Sequence, residues 1–111
     1  FDHCAPDPLD RIAVEAAAER TARWLERCVA RWRQGPVGER PQALFGIVQG
    51  GAFPDLRARS LAQVTAFDLP GYAVGGVSVG EHDGAMELAV ASATPGLPED
   101  RPRYLMGVGT R

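Results

Sequence analysis

Lysine is absent from the 111-residue chain, so all twelve of its positive side chains are arginine. Excess positive charge is missing as well: the formal net charge is −2. That argues against a strongly basic nucleic-acid surface, and the arginine-only usage reads as compositional bias rather than as a site. No apolar run reaches the roughly eighteen residues that a membrane-spanning helix needs, so none is readable. Cysteine occurs twice, as Cys4 and Cys28, without CxxC spacing, so no metal site can be argued from this stretch. A disulfide is compatible with that count, but nothing favours an oxidising compartment. An initiator Met is missing: the chain opens Phe1-Asp2-His3-Cys4, and further chain upstream is the expectation. The lack of a visible signal peptide therefore carries little weight. Low-complexity segments are missing too. What remains is ordinary for a globular protein, with 45% hydrophobic and 23% charged residues, enough for one small domain with a modest core.

The pattern along the chain alternates. Asp7-Pro8 reads as a helix start, since Asp caps free N–H groups and Pro suits a first turn. Residues 10–33 are good helix formers. Trp24, Leu25, Cys28, Val29 and Trp32 recur at helical spacing, with Arg23, Glu26 and Arg27 facing solvent. Gly35-Pro36 ends that helix. Residues 43–48 (ALFGIV) suit a strand buried on both faces, as in a parallel sheet. Gln49-Gly50-Gly51 turns the chain, and Pro54 opens a second helix with Leu56, Leu61 and Val64 apolar. Residues 72–77 (YAVGGV) read as a second strand, although two glycines weaken it. A third helix is expected over 83–93 and a third strand over 103–106. Spacing near thirty residues is that of βα units, which leaves two architectures open: a doubly wound sheet or an arc of a (β/α)8 barrel.

In either architecture ligands bind at the carboxyl ends of strands. Gln49-Gly50-Gly51, Gly75-Gly76 with Val77-Ser78-Val79-Gly80-Glu81, and Gly107-Val108-Gly109 occupy those places. If Phe1 is the tail of a preceding strand, Asp2 and Cys4 join the same rim. An Asp accepts from paired N–H groups such as a guanine edge, and Gln both donates and accepts. Glycines let backbone amides approach a planar ligand, and Met offers a polarizable face to a ring. Each has a blander counterpart. A lone Asp at a strand end is more often a cap, Gln-Gly-Gly a turn, Gly75-Gly76 room for a bulky neighbour. His3 and His82 read as exposed loop residues, Trp24 and Trp32 as helix-packing residues. GGVSVGE has neither GxxxxGK[ST] nor GxGxxG spacing, so it is not a phosphate loop of those kinds.

Taken in order, FDHCAPDP, QALFGIVQGG, DLPGYAVGGVSVGE and DRPRYLMGVG closely resemble blocks of the tRNA-guanine transglycosylase (queuine tRNA-ribosyltransferase) family, bacterial type. ERTARWLERC resembles the helix after the first block, so the likeness covers essentially the whole chain. The resemblance implies a (β/α)8 barrel, of which residues 1–111 form an incomplete arc carrying the base-recognition pocket. It implies a cytoplasmic transferase that exchanges guanine at the tRNA wobble position through a covalent RNA–enzyme intermediate. Partners implied are tRNA, guanine, a 7-deazaguanine-type base and a second copy of the whole protein, with no membrane.

By position, Asp2 resembles the family Asp on the guanine N–H edge, and Gln49 the Gln at the base carbonyl. Gly76 resembles the glycine whose N–H donates to that same oxygen. Val77 stands where Leu is usual, and a backbone-carbonyl role tolerates the change. Glu81 resembles the acid supporting that peptide from behind, and Met106 the residue on one face of the base. Gly75 shapes the pocket. Gly107, Val108, Gly109, Thr110 and Arg111 begin the family's RNA-contacting segment. Cys4 and Val79 resemble bacterial members, which implies 7-aminomethyl-7-deazaguanine as the incoming base. His3 stands where Glu is common, and Asp7 where Tyr is common. The nucleophilic Asp in its DMFDC-type context and the Cys3His zinc site should lie downstream, and the Asp that assists proton transfer, with the aromatic opposite Met106, upstream. No catalytic residue and no metal ligand is therefore expected here, and zinc belongs to the full-length enzyme. Two rivals stand beside this: a non-catalytic transglycosylase-like subunit, and an unrelated (β/α)8 enzyme that binds phosphate on its Gly-rich rims.

Overall fold

The computed structural model describes residues 1–77 and 84–108. Its elements are α1 (Arg11–Trp32), β1 (Phe45–Val48), α2 (Pro54–Thr65), β2 (Gly71–Val74), α3 (Ala85–Ala93), a 3-10 turn (Thr94–Gly96) and β3 (Arg103–Leu105). The three strands form one parallel sheet in the order β1-β2-β3. Phe45 lies opposite Gly71 and Val48 opposite Val74, while Val74 lies opposite Leu105. Each strand joins beside its predecessor, an order shared by a barrel arc and by one half of a doubly wound sheet.

Several boundaries differ from expectation. Helix α1 starts after Asp10, whose Oδ1 accepts from the Ala13 N–H at 3.1 Å. Asp7 instead accepts from the Leu9 N–H at 2.9 Å, a local turn that precedes the helix. The buried face of α1 also runs farther back than its large apolar residues suggest, through Val14, Ala17, Ala18, Thr21, Leu25 and Val29. Trp24, Cys28 and Trp32 are half-buried at its flank, and Arg23, Glu26 and Arg27 are exposed as expected. Strand β2 stops at Val74: the Gly75 N–H still donates to the Val48 carbonyl at 2.9 Å, but Gly76 takes φ +67° and leaves the ladder. Strand β3 stops at Leu105, although the Met106 N–H donates to the Val74 carbonyl at 3.0 Å. The expected start of the third helix at Asp83 lies outside the described residues, as does His82.

The main core lies between the sheet and the helices and includes Val48, Val64, Leu69, Tyr72, Val74 and Ala93. Tyr72 is buried, and its hydroxyl donates to the Phe67 carbonyl at 2.6 Å, which pins the turn entering β2. A second cluster, Ala5, Val14, Ala17 and Leu56, packs the N-terminal segment between α1 and α2. Exposed ion pairs also link these helices, Arg11 to Asp55 and Arg59 to both Glu15 and Glu19. The Arg11 hydrogen bond holds the Asp55 carboxyl below its ordinary 3.8. What this pair adds to stability is thus complete above that value and is lost as pH falls through the lowered one. Both groups are solvent-exposed, so the contribution is small.

Both outer edges of the sheet, β1 and β3, lack a strand partner among the described residues. Free edges of this kind template pairing with other chains. Expressed alone, the 111-residue chain should self-associate on size exclusion and unfold over a broad urea range by circular dichroism. A clean monomer with one sharp cooperative transition would contradict this.

Candidate functional site

The carboxyl ends of the strands collect most of the residues singled out from the sequence. Gln49 follows β1 and is only 3% exposed. Its backbone N–H donates to Ser60 Oγ of α2 at 2.9 Å, which fixes the first residue beyond the strand. Its side-chain Nε2 donates to Asp2 Oδ2 at 3.0 Å. Asp2 is brought there by α1: the next residue's amide, that of His3, donates to the buried Thr21 Oγ1 at 3.0 Å. Two residues forty-seven apart in sequence thereby share one rim. An NH2 group carries two hydrogens and a carboxylate about four acceptor positions, so each partner keeps capacity for a ligand.

Gly75 and Gly76 face this pair. A Cβ on Gly75 would lie 2.8 Å from Ile47 Cγ2 and 3.2 Å from Gln49 Nε2, with Met106 Sδ at 3.6 Å. A Cβ on Gly76 would lie 2.7 Å from Gln49 Oε1. Room for a neighbour and closeness to Gln49 are thus both served by missing side chains, and the Gly76 φ of +67° is one that other residues rarely adopt. No acceptor among the described residues takes the Gly76 N–H. Gly107, at φ +77°, lies where a Cβ would be 2.8 Å from the Val77 carbonyl oxygen, which brings the end of β3 to the same rim. Cys4 is exposed and borders a small cleft with Gln49, Gly50, Gly51 and Gly76. Val108 is exposed beyond Gly107. Val79, Glu81, Gly109, Thr110 and Arg111 lie outside the described residues.

Arg57 was not among the residues singled out. It is 1% exposed, and its guanidinium spans both turns. Nε donates to the Gly51 carbonyl at 2.7 Å, Nη1 to that of Gly75 at 3.0 Å and Nη2 to that of Gly76 at 3.3 Å. The signal that could have found it is its place on the inward face of α2, beside Leu56 and in line with Ser60 and Val64. Among the described residues no group of His, Cys, Asp and Glu could hold a metal ion, and no disulfide joins Cys4 and Cys28.

A cavity of about 700 Å³ lies away from this rim, between the second half of α1, Phe1 and the segment leading into β1. Trp24, Cys28, Trp32 and Leu44 line it, with Arg27 and Arg31 at its border. Its walls are mostly apolar and no buried polar side chains converge in it; the strand ends, where polar groups converge, are the better candidate.

The family model described as queuine tRNA-ribosyltransferase matches residues 1–111. The chain belongs to that family. Similar relatives include the queuine tRNA-ribosyltransferases of Gloeobacter violaceus, 58% identical over 110 residues, and of Thermus thermophilus, 56% identical over 110 residues. These alignments cover 99% and 98% of the chain and 28% and 27% of the relatives. The Nostoc relative of the same name is 58% identical over 111 residues, 99% of the chain and 28% of its own length. The chain thus spans a little over a quarter of the curated family members it matches.

Within this family member Gly76→Ala tests the rim directly. The Cβ meets Gln49 Oε1, and the φ is strained for any L side chain. A cost of about 1–3 kcal/mol is expected, read as a lower urea midpoint at unchanged slope in the whole protein that carries this chain. An unchanged midpoint would mean that the close Gly76–Gln49 approach does not form.

Proposed function

We propose that this chain is the base-recognition arc of a (β/α)8 tRNA-guanine transglycosylase. The whole protein exchanges guanine at the wobble position of tRNA for 7-aminomethyl-7-deazaguanine, a step of queuosine biosynthesis. The observation that carries this is the Asp2–Gln49 hydrogen bond at the strand ends, facing Gly75-Gly76 and Met106. Family membership and the bacterial relatives named for the activity support it. In the whole enzyme a nucleophilic Asp and a Cys3His zinc site lie downstream, the protein is a cytoplasmic homodimer, and no step of bond breaking is assigned to the residues described here.

The arrangement suits guanine for chemical reasons. The base presents two N–H groups on one edge and a carbonyl oxygen beside them. The Asp2 carboxylate accepts from the N–H edge. The second Nε2 hydrogen of Gln49 and the Gly76 N–H donate to the 6-oxo group, and Met106 lies against the ring. When the downstream carboxylate bonds to the anomeric carbon, the glycosidic bond breaks and its electron pair leaves with the base. Negative charge then spreads toward the 6-oxo group, where fixed donors stabilise it. The incoming deazaguanine presents the same edge, so one set of contacts serves both bases. Val77 borders the seven-substituent by its carbonyl, and Gly107 and Val108 lead toward the RNA; for Val79, Glu81 and residues 109–111, which lie outside the described residues, the family resemblance alone implies the parts of specificity, support and RNA contact.

Asp2→Asn separates recognition from a merely structural role. An Asn keeps one acceptor oxygen, which can serve Gln49 and one N–H of the base edge, while its NH2 takes the place of the second oxygen. One contact becomes a donor facing a donor, at a cost of about 1–3 kcal/mol. Guanine should then bind the whole protein at least about tenfold more weakly by calorimetry, with slower exchange of labelled guanine into tRNA. Wild-type affinity and exchange in the Asn variant would reduce Asp2 to a strand-end cap.

A further inference from the structure

We infer that Arg57 is a positioning residue for purine recognition: it sets the Gly75–Gly76 peptide and strengthens its N–H as a donor to the 6-oxo group. The inference rests on the base-pocket reading given above. Nη1 binds the oxygen of the very amide whose nitrogen is Gly76, at 3.0 Å. A charged donor on an amide oxygen draws electron density from the nitrogen, so the N–H on the other side becomes more acidic and a better donor. Nη2 holds the next carbonyl, that of Gly76, at 3.3 Å, so the two peptides flanking the Gly76 Cα are held by one guanidinium. Nε ties the same guanidinium to Gly51 at 2.7 Å, in the turn that carries Gln49. Both proposed donors to the base carbonyl, the Gly76 N–H and the Gln49 amide, are therefore referenced to one rigid plane. The guanidinium is 1% exposed, so water screens these bonds little. Arginine alone has the shape for this, since its flat fork reaches three carbonyls in fixed directions, whereas lysine offers a tetrahedral point charge.

The effect should be concentrated on the base carbonyl, which distinguishes it from a general loss of structure. The whole protein, its Arg57→Lys form and its Arg57→Met form are titrated calorimetrically with guanine and with 6-thioguanine. The thio base keeps both edge N–H groups but offers sulfur, a weaker acceptor, in place of oxygen. Wild type should prefer guanine. In Arg57→Met that preference should shrink by about tenfold, mostly through weaker guanine binding. Arg57→Lys, with the charge but not the fork, should fall between. Equal weakening of both bases, or an unchanged preference, in a folded variant overturns the role of Arg57 while leaving the pocket standing. A wild-type protein that binds neither base overturns the base-pocket reading itself and this inference with it. If neither variant folds, the wild-type protein labelled with 15Nε-arginine answers instead. The slowly exchanging Nε–H signal of the buried guanidinium should move more with guanine than with 6-thioguanine, and equal shifts from both overturn the inference.

Discussion

A guanidinium buried at the carboxyl ends of two parallel strands is expensive in isolation, because a charge leaves water for a medium that solvates it poorly. Arg57 meets that cost with backbone oxygens, those of Gly51, Gly75 and Gly76. These are the residues at which the chain leaves β1 and β2, where carbonyls no longer have ladder partners. One side chain of α2 therefore resolves two problems together: the desolvation of its own charge, and the orphaned carbonyls of two turns. Ser60, three residues on, does the same for the amide of Gln49. The buried side of α2 is thus polar where it meets the strand ends and apolar at Val64 against the sheet and at Leu56 against α1.

The glycines follow from this arrangement. Side chains at 75 or 76 would enter the space of Ile47 or Gln49, and the turn at Gly76 requires a left-handed backbone. The segment bearing Asp2 is held separately, by Thr21 of α1 and by the packing of Ala5 on Val14, Ala17 and Leu56. The rim is assembled from three directions: α1 delivers the carboxylate, α2 fixes the turns, and β3 brings Met106 and Gly107 alongside. Donors that are backbone amides are held rigidly, a geometry that would suit the flat base of the proposed function.

Much of this was legible in the sequence. The alternation of helix and strand showed because apolar runs of four to six residues are bounded by Gly and Pro. The rim showed because parallel strands place ligands at their carboxyl ends, and because the ordered blocks around Asp2, Gln49, Gly76 and Met106 resemble one family. The start of α1 did not show, since Asp7-Pro8 and Asp10 are both plausible caps and only the Ala13 contact distinguishes them. The back half of the α1 face was hidden because alanines and a threonine carry little hydrophobic signal. Arg57 was hidden for a different reason. In DLRARS, Arg57 and Arg59 look alike, yet one is buried in carbonyls and the other pairs with Glu15 on the surface. Two residues along a helix turn the side chain to the other flank, and composition does not record which flank meets the strand ends.

The proposed function requires that a purine sit at the strand ends held by Arg57. A crystal structure of the whole protein with guanine tests this most directly. The base should lie against Met106, with its N–H edge on Asp2 and its 6-oxo oxygen within hydrogen-bonding distance of the Gly76 amide and Gln49 Nε2. Guanine bound in the groove beside Trp24 and Trp32, or at any site that leaves the Asp2–Gln49 rim empty, would contradict it.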